Sequence, residues 1–593
     1  MLRCGFALVQ FERNVPYICR RQPAKLISVG LGAATVHTVV ENDGACGNRY
    51  VTFRTPRSVM AETEMDNLRG NVQQYGQRDT SRLTRREFLA EAGGTAGLAM
   101  MMPLMSSIAR PANALPELVS LNALELSQKT KAKQVSCVEV MRTYLAHIER
   151  FNPKVNAIVS LQPAESLLRH AKERDAQLVR GEYLGWMHGF PHAVKDLAAT
   201  KCIRTSNGSP LFDSLPDHDE IFVERLRRNG VILIGKTNVP ELGFGSQSYN
   251  PVFGTTLNAY DQTKCAGGSS GGAAVSLALR MLPLADGSDM MGSLRNPAAF
   301  NNVFGFRPSY GRVPSSAGEL FLRTFSVEGP MGRSASDVAM LLSVMAGPDP
   351  RAPFSIEQEP AMFVQSLKRD FKGTRIGWFG NFDGYLEIQP GILELCQKSF
   401  KAFQSLGCLV EPAKSDFDMA KLWDAWLTQR QSLTAGGLAA FYNDPAKRAK
   451  LKAEIQWEIE GGLKVTAMEF QHASQVRSDW YRALLKLFQT YDYLLLPSAQ
   501  VFPFDAQEHW PKEINGKKMD TYHRWMEVVI PATMAGLPAL NVPVGFGPTA
   551  LPMGMQVIGK PHADFAVLQM AFAYEQVVPW VRDYLPPLLK AAA

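Results

Sequence analysis

Three places in the 593-residue sequence bring together residue types that can do covalent chemistry. Lys195 sits in an apolar stretch with Ala193, Val194, Leu197 and Ala198. Gly267-Gly268-Ser269-Ser270-Gly271-Gly272 sets two serines among glycines. Gly287-Ser288-Asp289-Met290-Met291-Gly292-Ser293-Leu294-Arg295-Asn296-Pro297 carries a further candidate nucleophile, Ser293. A serine hydroxyl is a poor nucleophile at neutral pH and needs a base to take its proton. Free lysine, with a pKa near roughly 10.4, is protonated and unfit for that task, but burial disfavours the ammonium and lowers the pKa.

Taken alone, the glycine-serine segment has three readings. It is a flexible loop, or an anion nest of consecutive backbone N–H groups, or a nucleophile elbow, since it satisfies G-x-S-x-G. The nest lacks the Lys-Ser/Thr that completes a phosphate-binding loop. The elbow needs a hydrophobic strand immediately before it, and Asp261-Gln262-Thr263-Lys264-Cys265-Ala266 is not one. Lys195 on its own reads as a surface lysine or as a partner of Asp196.

In this order and spacing, the lysine, the GGSSGG segment and the G-S-L-R-N-P segment resemble the amidase-signature family. Ser269 and Ser293 are 293 − 269 = 24 positions apart, the spacing that family keeps between its bridging and nucleophilic serines. Asn238-Val239-Pro240-Glu241-Leu242-Gly243-Phe244-Gly245 and Asn250-Pro251-Val252-Phe253-Gly254-Thr255 resemble its approach to the loop. Gly329-Pro330-Met331-Gly332-Arg333, Gly536-Leu537-Pro538-Ala539 and Leu551-Pro552-Met553-Gly554-Met555-Gln556 resemble its later segments, so the likeness runs from about residue 118 nearly to the end.

That resemblance implies one large α/β domain over residues 115–593, a central mixed β-sheet covered on both faces by α-helices. It implies hydrolysis of a carboxamide C–N bond to a carboxylic acid and ammonia or an amine, through a serine acyl-enzyme, with neither cofactor nor metal. Ser293 would attack, Ser269 would relay the proton and Lys195 would be the base. Backbone N–H groups of Met290, Met291, Gly292 and Ser293 would face the oxyanion, and Ser270, Asp289 and Arg295 would hold the loop. It also implies a cis Gly268–Ser269 peptide. Many relatives have two glycines before the nucleophile, whereas this chain has Met291-Gly292, which puts the loop geometry in question. The Met-Met-Gly-Ser-Leu-Arg-Asn-Pro wording resembles a subset that includes hydrolases of nylon oligomers.

Elements that could position these residues follow from periodicity. Residues 191–196 and 231–235 read as buried strands and 281–285 as a weaker one. Further on, 374–378, 493–497, 540–544 and 555–559 read as strands, 390–487 as mainly helical and 565–577 as a closing helix. Residues 242–272 are too rich in Gly, Ser, Asn and Pro for a core element. Trp423 and Trp426, in the helical stretch, suit either the wall of an acyl pocket or the plain core.

The composition, 46% hydrophobic and 20% charged with a net charge of +7, is that of a globular protein. No Lys/Arg run with interleaved aromatics marks a nucleic-acid groove. The eight cysteines are scattered without a CxxC pair, so neither a disulfide framework nor a zinc knuckle is expected, and those past residue 115 should be free thiols. Residues 1–79 show no sustained periodicity and read as an extension or an early start. Residues 80–114 read as a twin-arginine export signal: Thr84-Arg85-Arg86-Glu87-Phe88-Leu89, an apolar stretch broken by Pro103, then Ala112-Asn113-Ala114. The expected location is therefore periplasmic or secreted. The expected partners are a small amide substrate and the twin-arginine machinery, with a homodimer also compatible. Two other functions compete: the glutaminase component of a tRNA-dependent amidotransferase, against which an export signal argues, and a catalytically dead amide-binding protein of the same fold.

Overall fold

The strand-forming runs of the sequence build two sheets that meet at the candidate residues. In the computed structural model the described residues are 115–590 together with the strands Ile27–Leu31 and Ala34–Thr38. The chain divides into two compact units, Met1–Ser107 and Ile108–Ala593. In the first, those two strands pair antiparallel, Ile27 opposite Thr38, where no periodicity predicted a strand; five residues are too few to show one. The twin-arginine pattern and the expected cleavage point near Ala114 lie outside the described residues.

In the second unit, a three-stranded sheet runs in the order Ile158–Val159, Ile232–Thr237, Pro191–Lys195, the last two parallel. All residues of Pro191–Lys195 and Ile232–Thr237 are buried, as expected of continuous apolar runs covered on both sides. An eight-stranded sheet runs in the order Leu409–Pro412, Arg375–Trp378, Tyr493–Pro497, Pro552–Gly559, Ala539–Phe546, Phe304–Arg307, Val327–Gly332, Ala285–Asp289. Its first three strands are parallel and the other pairings antiparallel, so the sheet is mixed. Helices including Arg295–Phe300, Ile392–Lys398 and Asp564–Val577 pack on it.

One expected strand is displaced. The apolar run at 281–285 only leads into the true strand, Ala285–Asp289, whose sequence Ala-Asp-Gly-Ser-Asp carries no hydrophobic signature. It is nevertheless wholly buried, because its polar side chains are paired by residues far away in the chain. Within 390–487 the long helices Met419–Tyr442 and Ala467–Leu487 dominate, the second opened by a capping box of Thr466 and Glu469. Cys137, Cys265, Cys396 and Cys408 are free and buried. Cys202 is disulfide-bonded, contrary to the expectation of free thiols; its left-handed backbone, φ 63°, places it in a half-buried turn outside the core.

Candidate active site

Lys195 ends the buried strand Pro191–Lys195 and is 1% exposed. Its Nζ donates to Ser269 Oγ, Ser270 Oγ and Ser288 Oγ, each at 2.8 Å, and lies 3.2 Å from the Ser288 carbonyl. All four acceptors are neutral, and among the described residues no carboxylate touches the amine. Burial lowers the pKa of Lys195 to about 8, against the opposing pull of Glu328, Asp286 and Asp289. Burial thus moves the amine toward the neutral form that a base requires. The strand's end is anchored by Asp286, whose carboxylate accepts the Lys195 backbone N–H at 3.1 Å and meets His192 Nε2 at 2.8 Å.

The glycine-serine segment reaches Lys195 as a loop feeding the helix Gly271–Ala278. The Gly268–Ser269 peptide is cis. Two serines of the preceding polar stretch hold the loop: Ser246 Oγ donates to the Gly268 carbonyl at 2.7 Å and Ser248 Oγ to that of Gly267 at 2.9 Å. Gly272 lets the helix start lie directly on other backbone, since a Cβ there would sit 2.4 Å from the Ala157 oxygen and from the Asn238 nitrogen.

The segment before Ser293 is held by a second buried cluster. Arg295 donates to Asp289 through Nε at 3.0 Å and Nη2 at 2.9 Å, and Arg307 Nη1 reaches the same carboxylate at 3.2 Å. Burial works to raise the Asp289 pKa, but the two guanidiniums and the hydrogen bonds outweigh it and hold the carboxyl well below the usual range. Arg295 also donates to the Val529 carbonyl, Gln556 and Thr533, tying the loop to the C-terminal part of the chain.

Of the backbone donors expected to face an oxyanion, Gly292 is otherwise engaged: its N–H donates to Asp289 Oδ1 at 2.9 Å, because the carboxylate folds back over the turn. Among the described residues no protein acceptor takes the N–H groups of Met290, Met291 or Ser293. The glycine requirement falls on one position only. Gly292 has φ +77°, and a Cβ there would meet Val529 at 2.9 Å. Met291 is not among the residues of positive φ, and its side chain is buried in the core at 5% exposure. Methionine therefore stands where ordinary backbone geometry accepts it.

Ser269, Ser288, Met290, Met291 and Ser293 line one wall of a cavity of about 1000 Å³. Ser293 is 7% exposed and Ser269 3%. Ser270 N–H donates to the Ser293 carbonyl at 3.2 Å, but no hydrogen bond joins the Ser269 and Ser293 hydroxyls. Such contacts commonly tighten only when substrate is bound. The rest of the lining is mixed, with Leu197, Phe244 and Met526 beside Glu319, Arg323 and Glu328. Trp423 and Trp426 are core residues outside the cavity; the same helix contributes Arg430 and Leu433 to the wall instead. Arg430 is paired with Glu458 and Tyr522.

The model of the Amidase family matches residues 139–568. The chain belongs to that family. It is 31% identical over 474 residues to an acylamidase of Rhodococcus erythropolis, covering 78% of this chain and 96% of the relative. It is 30% identical over 480 residues to a glutamyl-tRNA(Gln) amidotransferase subunit of Thermosynechococcus vestitus, covering 77% and 98%. Among solved structures, a bacterial aryl acylamidase of the amidase-signature enzymes superposes with a TM-score of 0.74 at 27% identity, covering 80% of this chain and 98% of that one. The 6-aminohexanoate cyclic dimer hydrolase superposes with a TM-score of 0.71 at 23% identity over 79% and 99%, a likeness of fold. This amidase is thus an enzyme acting on amide bonds.

The amidase fold places Ser269 and Ser293 on the cavity and sets Lys195, Ser270, Asp289 and Arg295 behind them, across 295 − 195 = 100 positions of sequence. Sequence reasoning missed Ser288, which is as close to Lys195 as either loop serine, and Asp286, His192 and Arg307, which fix the two clusters. Ser288 lies inside the quoted glycine-serine-aspartate segment. An alternation of Asp286 and Ser288 toward one side, with Asp289 toward the other, was the signal available there. Among the described residues no group of three His, Cys, Asp or Glu is placed to hold a metal ion.

Proposed function

We propose that Ser293 is the nucleophile of this amidase, activated by Lys195 through Ser269. The observation that carries the reading is a buried lysine amine surrounded by neutral oxygens, among them the hydroxyl of Ser269, which lines the same cavity as Ser293. Lys195 Nζ takes the Ser269 proton while Ser269 takes that of Ser293, whose Oγ bonds to the amide carbonyl carbon. The N–H groups of Met290, Met291 and Ser293 stabilise the resulting oxyanion. The proton returns through Ser269 to the leaving nitrogen, the C–N bond breaks, and water then hydrolyses the acyl-serine by the same route.

The substrate we infer is an acyl amide with a bulky portion, matching the size of the cavity, the apolar residues in its lining and the likeness to acylamidases. Similarity to the amidotransferase relatives is nearly as high, but free glutamine is small and leaves a cavity of about 1000 Å³ largely unfilled. Export by the twin-arginine route, with the enzyme beginning near Leu115, is supported by the arginine pair and the small residues at 112–114; export would separate it from tRNA-linked work. The test is a panel of acylated anilines, aliphatic amides, 6-aminohexanoate oligomers and glutamine offered to the purified chain. The expected result is hydrolysis of the acylated anilines at least about tenfold faster in kcat/KM than of glutamine. Preference for glutamine overturns the substrate reading.

A further inference from the structure

Glu328 stands on the strand Val327–Gly332 as the direct cross-strand partner of Ser288. Directly opposed residues of an antiparallel pair project to the same face, with Cβ atoms within about 5.5 Å. Ser288 Oγ accepts from Lys195 Nζ at 2.8 Å, so Glu328 projects to the lysine's side of the sheet, and it lines the cavity with Ser269, Ser288 and Ser293. Among the described residues no hydrogen bond or ion pair engages its carboxyl. The other charged groups around Lys195 are occupied. Asp286 holds His192 and the Lys195 backbone, and Asp289 holds Arg295 and Arg307. Asp196 accepts from Ser206, and Lys236 donates to the Ala198 carbonyl and Thr200. Glu220 and Arg323 act on Glu328 with opposite signs.

We propose that Glu328 is the positioning residue that sets the charge state of Lys195. Its carboxylate, across the strand pair from Ser288, acts through space: charged, it favours the ammonium of Lys195, and without that charge the amine gives up its proton at lower pH. This rests on the reading of Lys195 as the base. Loss of solvent pushes Glu328 up and Lys195 down, while each group's charge favours the charged form of the other, so a change at Glu328 moves the titration of the lysine.

The test compares wild type, Glu328→Gln and Glu328→Asp in the full chain. It follows kcat/KM for an amide and, independently of any substrate, the rate of Ser293 labelling by a fluorophosphonate, both as functions of pH. Glutamine removes the negative charge that retains the lysine's proton. The acid limb of Glu328→Gln is expected to move about one pH unit lower, with its plateau down about tenfold and KM unchanged, because the amine becomes a weaker base. Glu328→Asp, which withdraws the carboxyl by one methylene, shifts the limb in the same direction but less, and serves alone if the glutamine variant does not fold. Acid limbs superimposable on wild type in the variants that fold overturn the proposal. Lys195→Met, labelled in parallel, separates the two failures: if it labels like wild type the base assignment fails, and if it does not label while the Glu328 limbs are unmoved, only the role of Glu328 fails.

Discussion

The strand Ala285–Asp289 presents one buried charge cluster on each of its faces, and the two are built in opposite ways. On one face Asp286 and Ser288 meet Lys195, whose amine touches only neutral oxygens. On the other, Asp289 is gripped by two guanidiniums and two backbone N–H groups. A buried cation without a contacting anion gives up its proton easily, whereas a carboxylate saturated with donors keeps its charge at any ordinary pH. The first cluster is arranged to move a proton and the second to keep a loop still. Neighbouring residues of one strand thus receive opposite electrostatic environments through alternation alone.

The comparison breaks most sharply at Lys195. Lys195→Met should lower kcat at least about a thousandfold, yet raise stability at pH 7 by about 1–3 kcal/mol, because the cost of burying the ammonium disappears. The sign follows from linkage. The folded pKa, about 8, is below the unfolded value, so between them the unfolded chain binds more protons and wild-type stability climbs with pH. Urea denaturation of both proteins across that interval should show the gap between them closing as pH rises. A gap that is constant or widens means that the lysine is not buried as a strained base.

The fixed cluster should respond in the other direction. Asp289→Asn leaves Arg295 and Arg307 facing a neutral amide in a site of 0% exposure, and a loss of about 3–5 kcal/mol is expected from the urea midpoint. A loss below about 1 kcal/mol would show that the arginines repair their environment and that the two clusters are less different than their geometry implies.

The smallest effects sharpen the picture of the loop between the clusters. Gly292→Ala meets Val529 and a positive φ, and should cost about tenfold in kcat with the fold retained. Met291→Gly, at ordinary φ, should stay within about threefold. Equal losses at the two positions would relocate the geometric requirement.

What the sequence made legible follows the range of the interactions concerned. Lys195, Ser269 and Ser293 sit in local patterns whose order identifies them, and the strand Tyr493–Pro497 has the apolar run of a buried strand. Ala285–Asp289 was misplaced because its burial depends on Lys195, Arg295 and Arg307. Phe304–Arg307 and Val327–Gly332 were unseen because they are short and interrupted by glycine or proline. Glu328 carries no local signal at all, since its meaning comes from a partner strand 328 − 288 = 40 positions away. The departure at Met291 put the loop geometry in question because a sequence does not show which of two adjacent positions has the positive φ.

The strand between the two clusters works by parity. Substituting a residue there changes one face, but inserting or deleting one exchanges the faces: the carboxylate that belongs with the arginines turns toward the lysine, and the hydroxyl turns away from it. In descendants of this sequence a changed letter within residues 285–289 disturbs one cluster, whereas a change in the count of those letters disturbs both.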